Sequence, residues 1–372
     1  MLTLEEKQWV NATWDKVVAK MEKVAVRSYD KLPYTTENGV HDDRKETAVN
    51  AWTNSFFAGM LWHLYADTKK EVFRATAEHS EELLDSALEM VDVLHHDVGF
   101  LWTLSSVANY RLTGNKKSYL RANYAANMLA GRHITKGGYI RAWNYKPNTR
   151  SIIDTMMNLN LLYWASDVQQ DGRFTQIAME HADMTMAHHI RPDGSVIHIV
   201  NHDPVTGEPV EAMAGQGYDK DSSWSRGQAW ALYGFALSYI HTGKQAYLDT
   251  AKKVAHYFMA AVAEDHLPKL DFRCPEEPVY YDSTAGMIAA CGLIELSRIV
   301  PDYEKKMYFS AAMRLLQTIA ERFCDWNEET DALVTMGSER YDTGKYNLPI
   351  IYGDFFFVEA LYKLRGNSLL LW

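Results

Sequence analysis

The chain is poor in several features that would mark common protein classes. It has three cysteines in 372 residues, Cys274, Cys291 and Cys324, with no C-x-x-C spacing. That argues against a disulfide framework or a cysteine zinc site and predicts a reducing compartment. No stretch reaches the ~18 consecutive apolar residues of a membrane span. The opening MLTLEEKQWV has no basic start followed by an apolar run, so no signal peptide is expected and the chain reads as soluble and cytoplasmic. Positive charge is also in deficit: 38 Lys plus Arg face 48 Asp plus Glu, a formal net charge of -10. Such a field repels phosphate backbones, so nucleic acid is not an expected partner. HExxH, GxSxG, Walker and full dinucleotide glycine motifs are absent, and neither a metal nor a cofactor is expected.

Apolar and aromatic side chains are plentiful. Hydrophobic residues make up 47% of the chain, with 11 Trp, 22 Tyr and 13 Phe. Large aromatics either fill a core or offer flat faces to sugar rings, and composition does not separate the two. Apolar spacing at i, i+3, i+4 and i+7 predicts helices over 3–27, 53–66, 69–92, 98–113, 115–131, 150–168, 171–190, 224–243, 245–263, 282–299, 301–323 and 353–365. Turn sequences such as Thr113-Gly114-Asn115 and Thr242-Gly243-Lys244 separate them. A degenerate repeat runs through this series. A helix apolar nearly all round, such as IIDTMMNLNLLYWA, is followed by an amphipathic one, such as GRFTQIAMEHADMTM. Six hairpins of this kind predict an all-α fold, an (α/α)6 barrel spanning 1–372 as one domain. An open helical solenoid is the alternative. Residues 192–218 break the pattern and read as a small β-hairpin insertion turning at Asp203-Pro204 and Thr206-Gly207.

Polar groups recur where the apolar helices begin: Trp52, His96 with Asp97, Asp154, Trp224 with Arg226, Asp282 and Asp354. A lone Asp at a helix start usually caps it. Four of them beside Trp and Arg need a further reason, because capping requires neither an aromatic nor a cation. Paired carboxylates, Trp platforms and an Arg suggest sugar chemistry, with one carboxyl kept protonated by burial or by a like-charged neighbour. The adjacent pairs His95-His96 and His188-His189 would not face one ligand together on a helix, and His198 and His202 lie in hairpin sequence. A histidine metal site is therefore disfavoured. Gly215-Gln216-Gly217 follows no βαβ pattern and counts for little as a phosphate loop.

HHDVGF at 95–100, IIDTMMNL at 152–159, SSWSRGQAWALYGFAL at 222–237 and YGDFFFVEAL at 352–361 resemble the unsaturated glucuronyl hydrolases, family 88 of the glycoside hydrolases. WTNSFFAGMLW at 52–62 and DSTAGMIAACGLIEL at 282–296 are similar as well. The resemblance implies an (α/α)6 barrel and a cofactor-free hydrolase. Its substrate would be the Δ4,5-unsaturated uronate that polysaccharide lyases leave at a non-reducing end, in chondroitin, hyaluronan or heparin fragments. By resemblance, Asp154 is the general acid and then the base, and Asp97 is the second carboxylate. His198, Gln216 and Arg226 would face the uronate, and Trp52, Trp143 and Trp230 would be sugar platforms in the bore. The family's S-x-x-S-x-K loop for sulfated substrates reads Arg340-Tyr341-Asp342-Thr343-Gly344-Lys345 here. Arg340, Thr343 and Lys345 are then expected to make a sulfate-tolerant subsite. Two other readings stay open: an unsaturated rhamnogalacturonyl hydrolase acting on pectin fragments, and a non-catalytic sugar-binding barrel.

Overall fold

Thr3 starts the first helix for a local reason. Its hydroxyl accepts from the Glu6 N–H (3.2 Å) while the Glu6 carboxylate accepts from the Thr3 N–H (2.6 Å), which satisfies two otherwise orphan donors. From there the computed structural model, which describes residues 2–146 and 148–372, is a succession of helical hairpins. Among the described residues its main helices are α1 (Leu4–Arg27), α2 (Phe56–Thr68), α3 (Glu71–Leu83), α4 (98–113), α5 (Lys116–Ala130) and α6 (155–169). The second half continues with α7 (Gly172–His188), α8 (Ser225–Thr242), α9 (Gln245–Ala261), α10 (Ser283–Ile299), α11 (Asp302–Arg322) and α12 (Ile351–Leu364). Helix α4 contains one π-helical stretch, Thr103–Val107, and α6 is interrupted at Leu159.

Burial sorts these helices into two layers. Every residue of α12 is buried, as are Ser225–Ser238 of α8 and Ser283–Ser297 of α10. By contrast α9 buries one stripe, Tyr247, Leu248, Ala251, Val254, Ala255 and Phe258, and leaves Lys252 and Lys253 off it. The even-numbered helices pack successively on one another, and α12 returns onto α2. The ring is closed, and the architecture is an (α/α)6 barrel. Inner helices approach closely where side chains permit it. A Cβ on Gly99 of α4 would lie 2.5 Å from the Asn158 backbone of α6, and one on Gly234 of α8 would lie 2.6 Å from Met156. Glycine is needed at both contacts because a methyl group would force the helices apart.

Several boundaries differ from the sequence reading. The expected helix over 69–92 ends at Leu83 and is followed by a 3-10 turn, Asp85–Glu89. The expected helix from 150 is corrected more deeply, because Arg150–Ile152 is a strand, β5. Short strand pairs precede it, β1 (Thr36–Glu37) with β2 (Val40–His41) and β3 (His133–Ile134) with β4 (Tyr139–Ile140). The hairpin insertion is present as β6 (Ile199–His202) and β7 (Pro209–Met213), and β5 joins it to form a three-stranded antiparallel sheet. Among the described residues no helix is long and apolar enough to cross a membrane.

Candidate active site

The three-stranded sheet forms one wall of a cavity of about 620 Å³ over the barrel mouth. Alternation along β5 points Arg150 and Ile152 to that cavity, level with Ile199 of β6 and Met213 of β7. Ser151 turns the other way, where its hydroxyl meets Nε2 of His189 and of His202, both at 2.8 Å. Trp52, stacked on Tyr352 at 5.1 Å, and Trp143, stacked on Tyr145 at 5.5 Å, supply aromatic surface. Against the chain's net charge of -10, the wall holds, among the described residues, five cations, Arg44, Arg150, Arg226, Arg340 and Lys345, and a single carboxylate, Glu339.

Asp97 and Asp154 sit one side chain behind this wall, with 10% and 11% of their side-chain surface still exposed. Neither caps its helix. Instead, Nδ2 of Asn158 donates to Oδ1 of Asp97 (3.0 Å) and to the backbone carbonyl of Asp154 (3.1 Å), tying the starts of α4 and α6 together. His96 Nε2 lies 3.1 Å from Asp97, and His95 Nδ1 lies 3.4 Å away. The expectation that these two histidines face apart is corrected. They precede α4 in a turn, so helical spacing does not apply, and both imidazoles converge on Asp97. Burial works to raise the Asp97 carboxyl, but His96, His95 and Asn158 outweigh it and hold it below its ordinary range. Burial likewise opposes charge on His96, yet Asp97 keeps that imidazole above its usual value. His95, more affected by burial than by Asp97, is pushed down to about 4.

His198 is aimed by its backbone surroundings. The Gln216 N–H donates to its Nδ1 (2.9 Å), so the neutral ring carries its proton on Nε2, which lies 3.4 Å from Oδ2 of Asp154. Among the described residues neither Nε2 nor that Oδ2 has a hydrogen-bond partner, a deficit that marks where a ligand or water completes the site. Gly215 explains how the loop comes so near. It sits at φ +61°, and a Cβ there would be 2.2 Å from His198 Nδ1. The sequence fragment with two glycines therefore forms a cradle for an imidazole. Trp224 completes the setting, its ring centroid 4.1 Å from that of His198.

The remaining expected residues divide. Arg226 reaches the cavity, but its guanidinium already binds Asp282 (2.5 Å) and the carbonyls of Ser338 (2.7 Å) and Glu339 (2.6 Å). Burial disfavours its charge, and Asp282 more than restores it. Gln216 lines the cavity while donating its side-chain amide to the Glu339 carbonyl (2.8 Å). Arg340 and Lys345 line it too, each paired with a carboxylate, Asp342 at 2.6 Å and Glu339 at 3.2 Å. Two residues fall elsewhere. Trp230, expected as a platform in the bore, is fully buried among Phe100 and Phe356 and is not part of the cavity wall. Thr343 is exposed on the loop tip, outside that wall. Of the four helix-start aspartates, Asp282 serves Arg226. Asp354 accepts the N–H groups of Leu333 (3.0 Å) and Val334 (2.7 Å) in the core, where burial raises it to about 7.

Comparison with known proteins turns this geometry into an assignment. Residues 21–267 match the profile of Glycosyl Hydrolase Family 88. The chain belongs to that family. This family 88 protein is 33% identical over 321 residues to the unsaturated chondroitin disaccharide hydrolase of Streptococcus pyogenes serotype M1, covering 84% of this chain and 80% of that one. It is 33% identical over 331 residues to the unsaturated glucuronyl hydrolase of Bacillus sp. strain GL1, covering 86% and 88%. In three dimensions it resembles the crystal structure of that Bacillus enzyme with a TM-score of 0.88 at 31% identity, over 95% and 97% of the two chains. An unsaturated glucuronyl hydrolase specific for heparin superposes with a TM-score of 0.89 at 27% identity, over 97% and 98%. The family 88 chain is accordingly a glycosidase. Sequence reasoning missed Asn158, whose decisive bond crosses between helices. It also missed Arg150, hidden by reading β5 as helix.

Proposed function

We propose that this glycosidase removes a Δ4,5-unsaturated glucuronate from the non-reducing end of lyase-generated glycosaminoglycan fragments, by hydrating the C4=C5 vinyl ether. The observation that carries the reading is the trio of Asp154, Asp97 and an oriented His198 under a cationic, Trp-walled cavity. Protonated Asp154 gives its proton to C4, and positive charge spreads over C5 and the ring oxygen. Water adds at C5 and returns a proton to the Asp154 carboxylate, which restores the acid. The C5 hemiketal then opens to a ketone, and the hemiacetal left at C1 expels the leaving sugar. The His198 Nε2–H steadies the Asp154 carboxylate between the two proton transfers. Ionised Asp97, held by His96 and Asn158, stays a proton-free acceptor for sugar hydroxyls. Trp52 and Trp143 offer faces to the two sugar rings. The same reading takes 1–372 as one catalytic domain at work in the cytoplasm, where its three free thiols suit a reducing environment.

The test is to incubate the protein with unsaturated disaccharides of chondroitin, hyaluronan and heparin and follow the ultraviolet band of the conjugated enoate. The band should decay with wild type. In heavy water one deuterium should be retained at C4, and heavy-oxygen label should appear at the C5 ketone. Label at C1 of the released uronate would instead mean direct glycosidic displacement. Asp154→Asn should slow the decay by ~10²-fold or more while still binding the disaccharide. No decay with any of the three substrates would refute the reading.

A further inference from the structure

The cavity cations differ in how far the protein has already neutralised them. Arg226 is paired with Asp282, Arg340 with Asp342 and Lys345 with Glu339. Arg44 lies flat over Tyr34, 3.6 Å from the ring centroid, and has Asp42 at 3.7 Å. Arg150 has no carboxylate within ion-pair reach among the described residues, and its Nε is shut off from solvent without an acceptor. Register explains why. Across the sheet Arg150 stands opposite Asn201, and Asn201 stands opposite Glu211. The nearest acid in that row is two strands away, roughly 10 Å at ~4.8 Å per strand. A cavity-facing guanidinium left this way is costly unless something from outside completes it.

Its surroundings indicate where that partner would sit. The Arg150 guanidinium lies 5.6 Å from the Tyr145 ring centroid, and Tyr145 stacks on Trp143 with an interplanar angle of 16°. Trp143 meets His96 edge-on at 5.9 Å, and His96 contacts Asp97. A continuous file therefore runs from the catalytic carboxylate across an aromatic surface to one uncompensated cation. On the reading of uronate removal given above, the uronate occupies the carboxylate end and the leaving sugar lies over Trp143 and Tyr145. We propose that Arg150 receives a sulfate ester carried by that leaving sugar, in place of the Arg340–Lys345 loop. The planar guanidinium fork matches two sulfate oxygens, and no internal ion pair has to be broken to free it.

The experiment compares kcat/KM for sulfated and unsulfated unsaturated disaccharides of one backbone, in wild type, Arg150→Gln, Arg150→Lys and Lys345→Ala. Arg150→Gln should lower the sulfated-to-unsulfated ratio about tenfold or more, mainly through KM, because a charge-assisted pair is lost. Arg150→Lys keeps the charge without the fork and should fall between Arg150→Gln and wild type. Lys345→Ala should change the ratio by less than about twofold, since Glu339 already offsets that charge. The proposal is overturned if Arg150→Gln leaves the ratio near wild type, if Lys345→Ala produces the larger drop, or if wild type cleaves only unsulfated substrate. In the last case the glycosidase reading stands. If wild type consumes no unsaturated disaccharide, both fall together.

Discussion

Asn158 uses one amide nitrogen for two purposes, and the site depends on both. Replacing it with Ala would free Asp97 from one of its three partners and cut its tie to the Asp154 carbonyl, which keeps the backbone N–H of Met157 (3.1 Å). Asn158→Ala should lower kcat by about tenfold with KM little changed, because it positions a carboxylate without itself facing the cavity wall. Steady-state kinetics on an unsaturated disaccharide would show the split, and a change in KM alone would contradict it. The His96–Asp97 contact makes a second prediction, about pH. Asp97 is depressed, so its share of stability is present above ~3.9 and is lost as pH falls through its folded value. His96 is raised, so its share is complete below ~6.5 and is lost as pH rises through its folded value. The pair therefore adds most between about pH 4 and 6.5. The urea-midpoint difference between wild type and His96→Gln should be larger near about pH 5 than near about pH 8. Residue type at the helix starts pointed to Trp52, Asp97 and Asp154, and the family resemblance added His198 and Trp143. Neither revealed Asn158, because its position four residues after Asp154 looks like any helical stripe and its bond to Asp97 spans two elements.

At the scale of elements, two glycines decide whether the site assembles. A methyl at Gly99 would meet the Asn158 backbone at 2.5 Å and push α4 from α6, the helices that carry Asp97 and Asp154 at their starts. Gly99→Ala should cost ~1–3 kcal/mol in chemical denaturation, as overpacking does, and should lower activity in the folded fraction too. Gly215→Ala acts differently. The left-handed backbone and the 2.2 Å approach to His198 strain only a loop, so activity should fall much more than the melting temperature. Equal proportional losses in the two variants would argue against this division. The helices were legible because their apolar period is strong and their turns are well punctuated. The sheet was legible only in part. β6 and β7 had turn chemistry between them, while β5 is three residues long and runs into α6, too short for alternation to stand out from the helix that follows.

For the whole molecule, the global charge and the local charge oppose each other. An acidic surface repels an anionic substrate at long range, while the cavity wall attracts it at short range. Salt at ~0.15 M shortens the screening length to ~8 Å and weakens the distant repulsion first. Moving from ~0.01 M to ~0.15 M salt should therefore raise kcat/KM, before still higher salt lowers it by screening the cavity itself. A monotonic fall would show that the cavity field dominates at every range.

The closed ring has one more consequence, for how the molecule comes apart. In an open stack of hairpins the outermost pair has a single neighbour and can peel away first, so exchange protection is graded along the array. Here each inner helix has a neighbour on both sides, including α2 and α12 with each other. Deep amides in α2 and α8 should then exchange through the same global opening, with one calorimetric peak for the whole barrel.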